Sequence, residues 1–375
     1  MFRLIHLITI FLTIPTAHSL VDCYTSIFNF GTSLADTGNA ILLGKALYAA
    51  HFPYGETYFH RPTGRFSDGR LIIDFIAQGL GLPYLPPSLR CSTNSDVAQG
   101  VNFAVGGATT LDANFFRDIG INLPANNSLE FQLGWFKDLF PKLCPNPQDC
   151  GDIFRKTLFV VGEFGSNDYH TSFFHGKSIE EIRTFVPLII NVIGSTIDVL
   201  IKYGARTLVV PGILPTGCSA AYLSVFQSSR SEDYDPLTGC LTYLNEFSEY
   251  HNHLLLQELD RLRVLHPHAT IIYADYYNAA MRFYRSPYEF GLYGGALTAC
   301  CGGGGPYNYN ASNGCGHDGV TACDNPSWYV SWDGIHLTEA AYRLIADGLL
   351  RGPFLSSPIT TPCLSLGSGD HPHYE

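Results

Sequence analysis

Three short runs constrain the fold most: the continuously apolar 157–162 (TLFVVG) and the β-like 207–210 (TLVV) and 270–273 (TIIY). A strand that is apolar on both faces belongs in the interior of a parallel sheet, because only there are both faces covered. A fourth run, 24–30 (YTSIFNF), is rich in β-branched and aromatic residues and reads as a strand as well. The stretches between the runs carry helical spacing. These are 70–80, starting after the Ser67-Asp68-Gly69 turn, then 179–202, where Pro187 kinks or splits the helix, and 244–265. A last helix runs to Leu350 with Thr338 as its cap. This alternation predicts an α/β fold in three layers, α/β/α, around a central, mainly parallel sheet. The stretch 291–330, with four cysteines and many Gly, Asn and Tyr residues, reads as a cross-linked loop region within the same domain.

The N-terminus is of a different kind. Met1-Phe2-Arg3 leads into the apolar residues 4–14, and small residues follow at Ala17-His18-Ser19. This is the layout of a secretory signal, with an apolar core too short to span a bilayer. Residues 1–19 are therefore expected to be removed, leaving 20–375 as one domain. No later segment is expected to reach spanning length, and no stable membrane insertion is expected. The destination is extracellular or vacuolar.

Export gives the eleven cysteines a meaning: most should be paired, and the odd number leaves at least one over. Asn126 and Asn310 head glycosylation acceptor sequences. The formal net charge of −11 disfavours a nucleic-acid partner.

An open α/β sheet places its working groups at the carboxyl ends of strands. Ser33 sits there after the first strand, although a lone serine so placed more often caps the next helix. Asp333-Gly334-Ile335-His336 sets a carboxylate three residues before an imidazole, a spacing that lets Asp orient His as a base for a serine hydroxyl. Asn167 in Gly165-Ser166-Asn167-Asp168, and a backbone N–H in the Gly-rich stretch 102–109, could stabilise an oxyanion.

Metal and nucleotide chemistry find no comparable set. There is no H-E-x-x-H, and Gly302 to Gly305 lack the Lys-Ser/Thr of a phosphate loop. The cysteines at 300, 301, 315 and 323 read as disulfides rather than zinc ligands. His251/His253 and His266/His268 read as polar positions around a surface helix. No cofactor and no metal are expected.

Taken together, FGTSLADTGN (30–39), NFAVGGAT (102–109), GSND (165–168) and SWDGIHLTEAAY (331–342) resemble the four blocks of the plant GDSL-type esterases of the SGNH hydrolase superfamily. PTGRFSDGR (62–70) and ACCGGGGPYN (299–308) match the plant branch too. The resemblance implies a flavodoxin-like SGNH fold, with Ser33 as nucleophile, His336 as acid–base and Asp333 orienting it. It places the oxyanion hole at the Ser33 and Gly107 N–H groups and the Asn167 amide. The best-matched subgroup is similar to plant esterases of small specialised-metabolite esters, such as sinapine esterase and acetylajmalan esterase. One position departs: Thr32 stands where the family signature has Asp. Acyl transfer to an alcohol through the same acyl-serine, and a catalytically impaired binding protein, remain open as alternatives.

Overall fold

In a computed structural model, the described residues are 23–360 except 46, 92, 124–126 and 145–146. The expected signal segment and Asn126 lie outside them. Five strands form one parallel sheet: β1 (Ser26–Phe30), β2 (Gly100–Asn102), β3 (Thr157–Val161), β4 (Thr207–Pro211) and β5 (Thr270–Ala274). Their order is β2-β1-β3-β4-β5, all neighbours parallel, the flavodoxin-like winding. The chain leaves β1 in one direction to β2 and returns on the other side to β3. The carboxyl ends of β1 and β3 thus flank the switch point at which such sheets bind ligands.

One apolar cluster lies on each face of the sheet. On one, Phe28, Phe30 and Phe159 pack against Phe136 of helix Leu129–Leu143 and Ile193 of helix Val186–Lys202. On the other, Ile27, Leu158 and Ile272 meet Ile76 of helix Ile72–Gly79 and Ile345 of helix Glu339–Arg351. Alternate residues of the same strands serve opposite faces, which is why the runs are apolar without a break. The α/β/α expectation holds.

Several local expectations change. Ile179–Lys202 is long and apolar enough to cross a membrane by length and composition, contrary to the reading above. More than half of its most apolar window is nonetheless buried. The stretch divides into helices Ile179–Arg183 and Val186–Lys202, with Pro187 in the first turn of the second, where its missing N–H is harmless. The 291–330 region is not all loop: β6 (Gly295–Ala299) pairs in parallel with β7 (Tyr329–Ser331).

His251 is not a surface residue. It is fully buried and shares a 2.7 Å hydrogen bond with the Tyr169 hydroxyl, and burial pushes its imidazole down to about 3. His266 is buried beside Asp198 at 2.9 Å, whereas His253 and His268 are exposed as expected. Disulfides join Cys218–Cys240, Cys300–Cys323 and Cys301–Cys315, and Cys23 and Cys144 are disulfide-bonded as well. Among the described residues, Cys91 is a free thiol.

Candidate active site

Ser33 lies three residues beyond β1, on a turn that only glycine can begin. A Cβ on Gly31 would stand 2.8 Å from the Gly162 carbonyl at the end of β3. Gln132 fixes this glycine from both sides, its Oε1 accepting from Gly31 N at 3.0 Å and its Nε2 donating to Gly31 O at 2.8 Å. Buried Asp36 then gathers the chain that follows. Its carboxylate accepts the N–H groups of Gly38, Asn39 and Ala40, and that of Gly106 from the loop after β2, at 2.7–2.9 Å. One side chain therefore places the serine turn relative to the glycine loop.

Gly107 follows in that loop with φ +76°, a left-handed conformation that suits glycine. Beyond β3, Asn167 donates its Nδ2 to Ala108 O at 2.8 Å, and Asp168 accepts Thr110 and Leu111 N–H at 2.8 and 2.9 Å. The second and third sequence blocks are thereby joined. Among the described residues, neither Ser33 N nor Gly107 N donates to the protein. The Asn167 amide keeps a second N–H after its bond to Ala108.

Asp333 and His336 arrive from β7. Asp333 Oδ1 accepts the N–H groups of Ile335 and His336 at 3.0 and 2.8 Å, closing the turn, while Oδ2 meets His336 Nδ1 at 2.6 Å. His336 Nε2 lies 2.8 Å from Ser33 Oγ. All three side chains are buried. Burial alone would raise the Asp333 carboxyl, but the His336 charge and these bonds outweigh it and hold it at about 2. Asp333 is thus a carboxylate throughout the range in which an esterase works.

The structure brings together every catalytic and oxyanion-hole candidate read from the sequence: Ser33, Gly107, Asn167 and His336 line one cavity of about 430 Å³, with Asp333 behind His336. Asn310, the described glycosylation candidate, is exposed. Other site residues escaped the sequence reading. The Tyr54 hydroxyl donates to Asp333 Oδ2 at 2.8 Å, and the Phe66 ring lies 4.8 Å from the His336 ring. The cavity wall includes Tyr48, Leu123, Leu214, Tyr222 and the His170 ring, which burial pushes down to about 4. The TGRFSDGR segment offered a signal that its spacing alone could not decode. Arg65 forms a two-pronged buried pair with Asp74, and Asp68 accepts from Glu339 N at 2.7 Å, which sets Phe66 against the histidine.

A serine, an imidazole and a carboxylate in hydrogen-bonded series, at the carboxyl edge of a 2-1-3-4-5 parallel sheet, form the arrangement that serine hydrolases use. Comparison with known proteins agrees. The family described as GDSL-like Lipase/Acylhydrolase matches residues 27–349. Two Arabidopsis thaliana proteins named GDSL esterase/lipase are each 52% identical, covering 95% and 92% of this chain and 91% and 89% of their own. A third of the same name and organism is 51% identical over 94% of this chain and 92% of its own. The chain belongs to the GDSL lipase/acylhydrolase family, among the plant GDSL esterase/lipases. It is a carboxylic-ester hydrolase.

Proposed function

We propose that the protein hydrolyses carboxylic esters of small, specialised-metabolite type through an acyl-Ser33 intermediate. The relay from Ser33 through His336 to Asp333 at 2.8 and 2.6 Å, opening on one cavity, carries this reading. His336 Nε2 takes the Ser33 proton as Oγ attacks the ester carbonyl. The oxyanion is held by Ser33 N, Gly107 N and the Asn167 amide. His336 returns the proton to the departing alcohol, leaving the acyl group on Oγ. Water then attacks the acyl-serine with His336 as base, which regenerates the hydroxyl and releases the acid. Asp333 holds the imidazole in the tautomer that leaves Nε2 free and stabilises the imidazolium.

A cavity of about 430 Å³ suits a compact ester, and its aromatic and aliphatic wall suits an apolar acyl or alcohol part. Export with loss of residues 1–19, and glycosylation at Asn126 and Asn310, complete the proposal. The disulfides support export, because they persist in oxidising compartments.

The test is Ser33→Ala. Turnover of a short-chain aryl ester should fall by about 10³-fold or more with the fold unchanged, and a fluorophosphonate should label the wild type at Ser33. Hydrolysis by the variant at the wild-type rate would overturn the nucleophile assignment.

A further inference from the structure

Glu163 is the one acidic side chain among the described cavity-lining residues, and it is 1% exposed. Its Oε2 faces the Thr32 hydroxyl at 3.5 Å, and its Oε1 accepts from the Ser166 hydroxyl. Thr32 immediately precedes Ser33, and Ser166 immediately precedes Asn167. Among the described residues no cation forms an ion pair with Glu163. We propose that Glu163 is a positioning residue whose carboxyl fastens the turn bearing Ser33 to the turn bearing Asn167, with Thr32 as its partner across the join. The proposal rests on the reading of Ser33 as nucleophile and Asn167 as oxyanion donor.

The chemistry of the pair explains why a hydroxyl suits position 32. A hydroxyl both donates and accepts, so Thr32 can satisfy Glu163 whether that carboxyl is ionised or protonated. An Asp at position 32, as in the family signature, would set two carboxyls against each other in a buried site. Two such groups are held together only by a shared proton, and they repel once both ionise. The surroundings offer no relief. Burial first, and the Asp168 charge second, push Glu163 up to about 7, against the hydroxyl bonds from Ser166 and Thr32. Tyr169, Tyr222, Tyr276 and Tyr342 also feel its charge and supply no cation, and Lys45, His170 and His336, which line the same cavity, form no ion pair with it among the described residues.

Four variants read with a neutral short-chain aryl ester across pH test the join. Glu163→Ala should lower kcat by roughly tenfold or more with KM within about twofold, because it loosens geometry rather than binding. Glu163→Gln, which keeps an acceptor for Ser166 and a donor for Thr32, should stay within about threefold of wild type. Thr32→Asp should match wild type near about pH 5.5 and fall roughly tenfold below it near about pH 8. Adding Glu163→Gln to Thr32→Asp should restore the wild-type profile, since the amide donates to Asp at every pH. An unchanged kcat in Glu163→Ala, or a double variant as impaired at high pH as Thr32→Asp alone, would overturn the proposal. If Glu163→Ala fails to fold, the two Gln-containing variants decide, because they keep the side-chain volume. A wild type inert to fluorophosphonate would instead sink the Ser33 reading.

Discussion

The two halves of the relay are held by different chemistry. The serine side, at the ends of β1, β2 and β3, is fastened by buried acids: Asp36 binds four backbone N–H groups and Asp168 two. The histidine side, on the chain leaving β7, is backed by disulfides. Cys300 N and Cys301 N donate to Ser331 O and Trp332 O, the two residues before Asp333, at 2.9 and 2.7 Å. The same cysteines are tied to Cys323 and Cys315. Strands β1 and β3 already lie in a packed sheet, so their loops need only local polar anchors. The β6–β7 pair has two strands and a broken register, too little structure to hold a catalytic turn unaided. Cross-links supply what the small sheet lacks.

Breaking the serine side should have the largest effect. Asp36→Ala leaves the N–H groups of Gly38, Asn39, Ala40 and Gly106 without their acceptor in a buried site. A loss of about 3–5 kcal/mol in stability is expected. Where the protein still folds, kcat/KM should drop by roughly 10²-fold, because the serine turn and the Gly107 loop lose their common anchor. Denaturant titration alongside kinetics checks both. Stability within about 0.5 kcal/mol of wild type would show that the backbone groups find other partners.

The histidine side, unlike the serine side, should be sensitive to reduction. Cys301→Ser with Cys315→Ser opens a link of 14 residues' separation, worth about 3 kcal/mol on loop-entropy grounds. Because that link lies behind Asp333, kcat should fall about tenfold. The Asp36 network should be untouched, and exchange protection of the amides in β1 and β3 should stay at wild-type level. Loss of protection across the whole five-stranded sheet would erase the distinction between the two halves.

The same contrast governs what could be read from the chain. Strands β3, β4 and β5 were legible because parallel strands covered on both faces are largely apolar, at the sheet edge where β5 lies as well as inside, and β1 through its β-branched and aromatic residues. β2 was not, since Gly100-Val101-Asn102 is three residues long and merges into the Gly-rich loop. Nor was β6, where GALTA has no alternation and half-buried residues. The triad was legible through its blocks, but its fastening was not. Asp36, Glu163 and Asp168 look like ordinary turn acids until the fold buries them, and Tyr54 approaches Asp333 across 279 positions of sequence. His251 was misread for the same reason: its helix is polar by composition, and only the packing of Tyr169 shows which side faces inward.

Tyr54 yields the smallest effect expected and the finest probe of the histidine side. Its hydroxyl shares Asp333 Oδ2 with His336 Nδ1, so it helps to keep the carboxylate charged and turned toward the imidazole. Asp333 sits at about 2, below the value near 4 of an unfolded carboxylate. A depressed carboxyl contributes stability that is fully present above the unfolded pKa and is lost as pH falls through the folded one. Removing one donor to the charged form raises the folded pKa, so Tyr54→Phe should lose that contribution at higher pH than wild type does. At neutral pH it should lower kcat by about three- to tenfold with KM unchanged, as expected when a residue orients the base without touching substrate. An acid-unfolding midpoint that stays in place while kcat falls would mean that Tyr54 steers the Asp333 carboxylate without setting its charge.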